Sequence, residues 1–472
     1  MLALVLVAVR LWHVISFKEP LHVITSGFEE ESLFALFKFV HDMPVYTDPH
    51  QIPFAASYFN WLYYGIYGTI TACIMQLFHL GDIWIPTISR LITFSIATLG
   101  FIVTFVLFRR KQSSLAFCLS ALLWYGPLVG YWAMTARPDV LGLFFDACAL
   151  LFFLRYFPEH KIKAALVAAV FCYLSWSAKQ INIVMPGTIG LFLLSHRQWR
   201  ALFSFSGLLI SLYALSCALM PENARKMLFF VNTAIPLSKT VFVENAFTLL
   251  KKTFPVLVIT LAVIVEALRS KAFRHELFQS NTIQLSVCGL ITWAVILLPA
   301  SSKVGSAENY HFIALLFLLL FTASGLHLLN TRSRVINGGL ILAGCLTIMS
   351  LGTVIAQNRT VHLTEQHQAM QALQKCIATL PAPIFVINHY GALPWMNPSS
   401  QSYVLAYNYW NDRKDGIPFE QNGIGGLIQQ GYFNALVLPS PITDSFDGAS
   451  LEDFSRQNSC PGYAVFTRKG TV

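Results

Sequence analysis

The chain has 472 residues, of which 55% are hydrophobic and only 12% are charged, and its formal net charge is +9. Soluble globular proteins carry about 25% charged residues, so the composition excludes an ordinary soluble protein over most of the length. The lysines and arginines lie in short loops between apolar stretches, whereas nucleic-acid binding requires them to cluster on a soluble face. The sequence therefore indicates an integral membrane protein that contacts membrane lipids and has no nucleic-acid partner.

Long apolar stretches recur from the first residue to about Ile355. Each approaches the ~20 residues that cross a ~30 Å hydrocarbon core. The first stretch, 1–16, has no basic region before it and no small-residue cleavage site after it, so we interpret it as a span and not as a signal peptide. Further spans are predicted at 87–108, 114–135, 139–157, 164–179, 181–195, 201–220, 253–268, 281–299, 311–329 and 335–356. The sequence thus predicts an α-helical polytopic protein with about eleven transmembrane helices.

Basic loops alternate with less basic loops along these spans, and short basic loops mark the cytoplasmic side. The basic loops are 109–111, 155–163, 196–200, 269–274 and the segment with Arg332 and Arg334. Segment 58–80 is apolar enough to cross the membrane, but counting it would place every later basic loop outside. We predict that it lies along the outer interface, within a long first external loop from 17 to 86. The alternative is a true span with inverted downstream topology.

The composition becomes that of a soluble protein after Gln357. Helices are predicted at 362–380 and near 426–431, and short strands at 384–387, 403–407, 435–438 and 463–466. Helices alternating with short apolar strands favour a small α/β domain. We therefore expect a transmembrane domain over 1–356 and a soluble extracytoplasmic domain over 357–472. Cys376 and Cys460 are the only cysteines in the second domain. They can form a disulfide if the compartment is oxidising, and the sequence does not decide whether they do.

Polar residues collect in four places that this topology assigns to the outer interface. They are Glu29, Glu30, Glu31, Asp48 and Tyr63 in the first external loop, Arg137 and Asp139, Lys179 and Gln180, and Glu308, Asn309 and Tyr310. Each group has an ordinary structural explanation, such as acids at a helix start, a local ion pair, or a lysine that extends to the interface. Charges at a membrane boundary are costly, however, and carboxylates and cations from four separate loops favour a functional site.

This set of side chains suits a lipid-phosphate sugar donor. Glycosyl transfer requires a carboxylate base for the acceptor hydroxyl and cations for the departing phosphate. The guanidinium of Arg137 can hold phosphate oxygens in a bidentate manner, and Lys179 supplies a point charge. No Gly-rich phosphate loop precedes a Lys-Ser/Thr pair, which disfavours nucleoside triphosphate hydrolysis, and no Cys/His cluster indicates zinc.

In these elements the chain resembles the GT-C superfamily of membrane glycosyltransferases, and more narrowly the branch of the protein O-mannosyltransferases and lipid A aminoarabinose transferases. The matching elements are the acidic cluster after the first span, Tyr46-Thr47-Asp48-Pro49, Pro53-Phe54, Tyr63-Tyr64, Ala136-Arg137-Pro138-Asp139, Lys179-Gln180 and Glu308-Asn309-Tyr310. The resemblance covers the membrane part. Two departures are the three glutamates where relatives commonly have Asp, and Asn60-Trp61 where relatives often carry a proline.

The resemblance implies a GT-C-like fold and inverting transfer of a hexose or pentose from a polyprenyl-phosphate donor to a glycan, lipid or protein acceptor. The reaction would occur on the outer face of the membrane, most simply the bacterial inner membrane. Glu29 or Glu30 would be the base, and Arg137 and Lys179 would bind the donor phosphate beside Asp139. The other substrate-binding candidates are Asp48, Tyr63, Gln180, Glu308, Asn309 and Tyr310. No metal ligands are assigned, although the carboxylates could bind a divalent cation.

Two other functions fit a polytopic chain with an external domain. A transporter or flippase of lipid-linked substrates is disfavoured because polar residues are rare in the middle of the spans and no inverted repeat of broken helices is visible. A non-catalytic sensor or assembly protein would use the external domain for binding and the charges for structure. Labelled donor lipid would distinguish the three. The enzyme yields a labelled acceptor, a transporter takes up label without transfer, and a sensor does neither.

Overall fold

The computed structural model describes residues 2–21, 28–109, 113–231, 235–328, 338–339, 342–344, 359–387, 391–442, 444–457, 460 and 462–470. Within them the chain is mainly α-helical, and its strands are confined to the C-terminal part. The predicted fold class, a helical membrane protein with a small C-terminal sheet, is confirmed. The boundary predicted at 356/357 lies outside the described residues and stays a prediction.

The helices of the N-terminal part are, in chain order, α1 (Leu2–Ser16), α2 (Phe28–Val40), α3 (Trp61–Phe78), α4 (Ile85–Phe108), α5 (Ser113–Tyr125), α6 (Asp139–Tyr156), α7 (Lys161–Ala178), α8 (Val184–Ser195), α9 (Trp199–Leu219), α10 (Lys239–Arg269), α11 (Lys271–Gln279), α12 (Asn281–Ala300) and α13 (Phe312–Leu328). Among the described residues, six segments are long and apolar enough to cross a membrane: Asp82–Phe108, Lys161–Ala178, Trp199–Leu219, Lys239–Arg269, Asn281–Ala300 and Glu308–Leu328. Most of the predicted span 335–356, with Arg332 and Arg334, lies outside the described residues. The total of about eleven spans therefore stays a prediction.

Short turns join α6, α7, α8 and α9 in succession, so that these consecutive helices run antiparallel. At one end of the bundle Lys179, which follows α7, contacts Asp139, the first residue of α6. We call this end the Asp139 end. At the other end, the His196 end, the ring of His196 bonds the side chain of Gln284 near the start of α12, 2.6 Å away. The turns after α6, α8 and α10 lie at this second end, so the described basic loops predicted to be cytoplasmic share one side.

Helix α3 occupies the apolar segment 58–80 and has both of its ends at the Asp139 end. Asn60 caps α3 and donates a hydrogen bond to the carbonyl of Trp176, two residues before α7 ends there. Residues 79–84 then lead directly from α3 into α4, whose Arg90 contacts Glu29 of the first loop. A transmembrane helix must begin and end on opposite sides of the bilayer, so this arrangement agrees with the prediction that segment 58–80 does not cross the membrane.

Two predicted boundaries in the helical part are wrong. The predicted span 114–135 ends early, because α5 stops at Tyr125 and Gly130 adopts a positive φ of 52° before a short 3-10 turn. Segment 221–252, expected to be a loop, contains a π-helix (Lys226–Val231) and the first turns of α10. Helix α10 begins at Lys239 because the hydroxyl of Ser238 accepts a hydrogen bond from the amide of Val241, a favourable N-cap.

The C-terminal part contains α14 (Arg359–Ile377), β1 (Ile384–Val386), α15 (Tyr409–Lys414), α16 (Gly423–Gln429), β2 (Ala435–Pro439), β3 (Ser445–Phe446), β4 (Ala449–Ser450), β5 (Phe454–Gln457) and β6 (Tyr463–Arg468). The main sheet has the order β1-β2-β6-β5, in which β1 pairs parallel to β2 and the other pairs are antiparallel. A disulfide joins Cys376 in α14 to Cys460 before β6, which answers the question that the sequence leaves open.

The strand predicted at 403–407 is wrong, because that segment pairs with the first loop and not with the sheet. The amide of Ala406 donates to the carbonyl of Phe54 at 2.8 Å, and the amide of Tyr407 donates to the carboxylate of Glu31 at 3.0 Å. The ring of Phe54 is fully buried among aromatic side chains of the C-terminal part, including Tyr409 and Phe419. The C-terminal part therefore packs directly on the loop that carries the acidic cluster.

Candidate functional site

Glu29 is held in a saturated, fully buried set of bonds at the start of α2. Its carboxylate forms an ion pair with Arg90 of α4, with an Nε–Oε1 distance of 3.0 Å and no exposure of either side chain. The same carboxylate accepts hydrogen bonds from the amides of Ala136, at 2.8 Å, and Leu21. A buried carboxylate with its oxygens engaged in this way stabilises its surroundings and has no lone pair directed to a substrate.

Asp139 holds two cations side by side at the membrane boundary. Its Oδ2 lies 3.1 Å from Nε of Arg137, and its Oδ1 lies 2.5 Å from Nζ of Lys179. The side-chain amide of Asn309 donates to the same Oδ1 at 2.6 Å. Elements that are distant in the chain, namely the starts of α6 and α13 and the end of α7, thus converge on one carboxylate. The guanidinium of Arg137 and the ammonium of Lys179 therefore lie beside each other on this carboxylate.

Aromatic rings surround the two cations and limit their access to water. The guanidinium of Arg137 lies 4.6 Å from the ring centre of Trp132 and 5.5 Å from that of Phe59. The ammonium of Lys179 lies 5.8 Å from the ring centre of Phe59 and 5.6 Å from that of Tyr310. Cations over aromatic faces are attracted electrostatically, most strongly where the site is desolvated. The rings therefore hold both cations in place, and both cations face the same cavity.

This cavity has a volume of about 280 Å³ and lies between the loop before α13 and the turn after α7. Its lining includes Arg137, Lys179 and a third cation, Lys303, with Phe59 and Tyr310 on the apolar side. Burial and the nearby charge of Lys179 lower the pKa of Lys303. The three cations thus lie close enough to repel one another, and an anion in the cavity would relieve that repulsion.

Two side-chain amides in the cavity wall have unused acceptors. Gln180 donates from Nε2 to the carbonyl of Tyr58 at 2.8 Å, yet its buried Oε1 accepts no hydrogen bond from any described residue. The Oδ1 atom of Asn309 is buried without a donor in the same part of the chain. A buried acceptor that lacks a donor is costly, and native proteins rarely retain one without a functional or solvent partner. A ligand with hydroxyl groups would satisfy both.

Glu31 has a different environment from Glu29. One of its oxygens accepts from the amide of Tyr407, while the buried Oε2 accepts no hydrogen bond from the residues that the structure describes. Burial and the adjacent Glu30 raise the pKa of Glu31 well above its ordinary value, and the charge of Arg137 only partly opposes this shift. Glu31 is therefore an acidic group close to Arg137 with an unused oxygen, and Glu30 beside it is also buried.

No protein-family model matches the chain, and no curated protein matches its sequence. Among solved structures, the crystal structure of ArnT from Cupriavidus metallidurans bound to undecaprenyl phosphate matches with a TM-score of 0.63 over 100% of this chain and 98% of that chain, at 13% identity. The chain has the fold of ArnT. The Archaeoglobus fulgidus oligosaccharyltransferase in the apo form also matches, with a TM-score of 0.48 over 80% of this chain and 58% of that chain at 13% identity.

Three of the predicted substrate-binding residues bond to groups outside the Arg137–Lys179 cavity. Asp48 pairs with Lys226 at 2.5 Å and with His50 at 3.1 Å. Tyr63 is fully buried and donates its hydroxyl hydrogen to the carbonyl of Ala136. Glu308 forms an ion pair with Lys252 of α10. The substrate roles of these three residues stay predictions, and their observed contacts are structural.

Several residues that line the cavity or contact its polar side chains carry no recognisable signal in the sequence. Lys303 was part of a loop with no recognisable motif, and Phe59 and Trp132 were ordinary aromatics in an aromatic-rich chain. Arg90 was hidden inside an apolar span, although an arginine inside a span is a signal of a buried partner. Among the described residues, no group of three or more His, Cys, Asp or Glu side chains is placed to hold a metal ion.

Proposed function

We propose that the chain is an inverting glycosyltransferase that moves a sugar from a polyprenyl-phosphate donor to an acceptor at the membrane surface. The observation that carries the proposal is the placement of Arg137 and Lys179 on either side of Asp139, at the wall of a cavity. The undecaprenyl phosphate bound to ArnT, which has the same fold, supports a polyprenyl phosphate as the lipid. In this proposal the Asp139 end faces the extracytoplasmic side of a bacterial inner membrane, together with the soluble domain 357–472.

The charges around the cavity suit a phosphate that gains charge as it leaves. Arg137, Lys179 and Lys303 contribute three positive charges and Asp139 one negative charge, which leaves an excess of two. A phosphodiester donor carries one negative charge, and the polyprenyl phosphate that departs carries up to two. Cations positioned where charge develops stabilise the transition state more than the ground state. We assign the phosphate to these three side chains.

The sugar would lie against the apolar and amide side of the cavity. The free acceptors on Gln180 and Asn309 can receive hydrogen bonds from sugar hydroxyls, which would satisfy both buried oxygens. The rings of Phe59 and Tyr310 line the same space and offer flat apolar faces for the sugar ring. These four residues would orient the anomeric carbon toward the acidic cluster.

We assign the general base to Glu31, with Glu30 as the alternative, because Glu29 is committed to Arg90. The acceptor hydroxyl gives its proton to the carboxylate, and its oxygen attacks the anomeric carbon from the face opposite the phosphate. The bond between that carbon and the phosphate oxygen breaks, its electron pair stays on the phosphate, and the configuration is inverted. The raised pKa of Glu31 means that its carboxyl binds a proton more tightly than an ordinary glutamate does, and the group acts as the base in its ionised form.

The test is transfer of a labelled sugar in membranes that contain the full chain. Undecaprenyl phosphate carrying a radiolabelled sugar is added, and label is followed into acceptor material and into the vesicle lumen. Wild-type membranes should transfer label, and Glu31→Gln should abolish transfer at unchanged membrane yield, with Glu30→Gln run beside it. Glu276→Gln, at an exposed glutamate of the His196 end, is the matched control and should retain activity. Uptake without transfer would instead favour a transporter, and transfer retained in both glutamate variants would refute the assigned base.

A further inference from the structure

A second cavity, of about 850 Å³, lies at the His196 end, on the opposite side of the bundle from Arg137. It is formed by the turn between α6 and α7 and the turn between α8 and α9. Four cations line it, two from each turn: Lys161, Lys163, Arg197 and Arg200. We call this cavity the basic cleft. It shares no residue with the site described above.

The four cations have no anionic partner among the residues that the structure describes. None of them forms an ion pair with any residue that the structure describes, and all four are exposed. Glu159 is the one carboxylate in the lining of the basic cleft, so the cleft has an excess of three positive charges. A general bias toward positive charge at a cytoplasmic face would be satisfied by cations anywhere along the two loops. Their convergence from two loops into one concave space requires another explanation.

The backbone at Arg197 supports a specific role for the turn. Arg197 has a positive φ of 54°, a conformation that glycine or asparagine adopts more easily than arginine. The turn is held by hydrogen bonds from the amides of Arg197 to the carbonyl of Leu194 and of Gln198 to the carbonyl of Leu193, each 2.9 Å long. A long cation is thus retained at a position that disfavours it, in the wall of the basic cleft.

Apolar side chains continue from the basic cleft along the outer surface of the same two helices. Trp199 is 50% exposed and Phe203, one turn further along α9, is 71% exposed, with their rings stacked at 6.5 Å. On α7, Ile162 is 45% exposed and Leu166 is 37% exposed. Residues four apart lie on one helix face, so each helix presents an apolar stripe directly beside the cations. The surface is basic at the end of the bundle and apolar toward its middle.

We propose that the basic cleft binds the phosphate headgroup of an anionic membrane phospholipid, whose acyl chains lie along the stripe formed by Trp199 and Phe203. Clusters of lysine and arginine between helices at a membrane surface attract anionic lipid headgroups, and tryptophan favours the depth of the headgroups. A free phosphate ion would use the cations but not the apolar stripe. Cations at the end of the bundle and an apolar surface toward its middle match the headgroup and the acyl chains of a lipid. This inference is independent of the proposed glycosyl transfer.

Native mass spectrometry of the full-length protein tests the proposal. Dioleoyl phosphatidylglycerol is titrated against dioleoyl phosphatidylcholine, which has the same acyl chains and no net charge. We expect one phosphatidylglycerol to be retained at concentrations where phosphatidylcholine is lost. The triple variant Lys163→Gln, Arg197→Gln, Arg200→Gln should weaken its retention by about tenfold or more, since each cation near an anionic lipid surface contributes measurably. Phe203→Ser should weaken retention of the lipid through the acyl chains.

The control removes the same number of charges from the same end of the bundle. Arg269→Gln, Lys271→Gln and Arg274→Gln lie outside the basic cleft, are exposed, and should leave retention unchanged. Equal loss in both triple variants would mean bulk charge attraction and would overturn the proposal. Displacement of the lipid by millimolar inorganic phosphate, or equal retention of phosphatidylcholine, would overturn it as well. Unchanged melting temperatures of both triple variants establish that they are folded.

Discussion

Glu29 and Arg90 form an ion pair whose two side chains are completely buried, and Arg90 joins Glu29 to the segment that follows α1. The guanidinium donates to the carbonyls of Phe17 at 2.6 Å and Glu19 at 2.5 Å, and through Nε and Nη2 to the carboxylate, both at 3.0 Å. Since the carboxylate also accepts from the amide of Ala136, four segments meet at one pair of charges. The arrangement makes Glu29 a stabilising residue in the acidic cluster.

We expect Glu29→Gln to lower the free energy of unfolding by about 3–5 kcal/mol, because it leaves the charge of Arg90 buried without its partner. Chemical unfolding of the purified protein in detergent measures this loss. Glu222→Gln, at an exposed glutamate, should change stability by less than about 0.5 kcal/mol. A Glu29→Gln protein that is fully stable yet inactive would make Glu29 the base and would contradict our assignment.

Glu31 gives a prediction about pH that separates it from Glu29. Its pKa in the folded protein is raised above the ordinary value, so the folded state binds the proton more tightly than the unfolded state does. The resulting stability is fully present below the unfolded pKa and is lost as the pH rises through the folded pKa. Glu31→Gln keeps an oxygen for the amide of Tyr407 and removes the titration.

The melting temperature of Glu31→Gln should therefore increase relative to that of wild type as the pH rises from about 5 to 9. The transfer activity of the variant should be lost at every pH. In wild type, transfer should increase with pH until the carboxylate is fully ionised, since the base acts in its deprotonated form. Thermal unfolding of both proteins in the same detergent, over a pH series, measures the first effect. A constant difference in melting temperature across the series would contradict the raised pKa.

Periodic and boundary features of this fold could be predicted from the sequence. Apolar length and the alternation of basic loops predicted the helical bundle and the position of segment 58–80, because both are determined by the bilayer and not by particular contacts. Charges at the ends of spans identified Arg137, Asp139, Lys179 and Asn309, which the structure brings together at one carboxylate.

Contacts between residues that are far apart in the chain could not be predicted from local sequence patterns. Glu29 resembled its two neighbours in sequence, and only the arrival of Arg90 from another helix distinguishes it. Segment 403–407 has the continuous apolar composition of a short buried strand, but its amides donate to Phe54 and Glu31 and not to the sheet. Strand β5 was missed because three of its four residues are exposed and polar, so it lacks the apolar signal of a buried strand.

Arg137 should be intolerant of substitution by lysine, although the charge is kept. Lysine cannot contact Asp139 through one nitrogen and present a planar fork to phosphate through two others. We expect Arg137→Lys to reduce the initial rate of sugar transfer by about 100- to 1000-fold, the range for loss of a donor at a developing charge. Arg274→Lys, at an exposed arginine of the opposite end, is the matched control. A rate within about twofold of wild type for Arg137→Lys would exclude bidentate phosphate binding by this residue.

The disulfide between Cys376 and Cys460 should stabilise the C-terminal part. It ties α14 to the segment before β6 across 84 positions of sequence, and closing a loop of that length restricts the unfolded chain. Alkylation of the denatured protein should add two more alkyl groups after reduction than before it, as measured by intact mass. Cys376→Ser with Cys460→Ser should cost about 2–4 kcal/mol of stability. The matched pair Cys73→Ser with Cys118→Ser, at two exposed free cysteines, should leave the difference of two alkyl groups intact. Equal alkylation with and without reductant would show that both thiols are free.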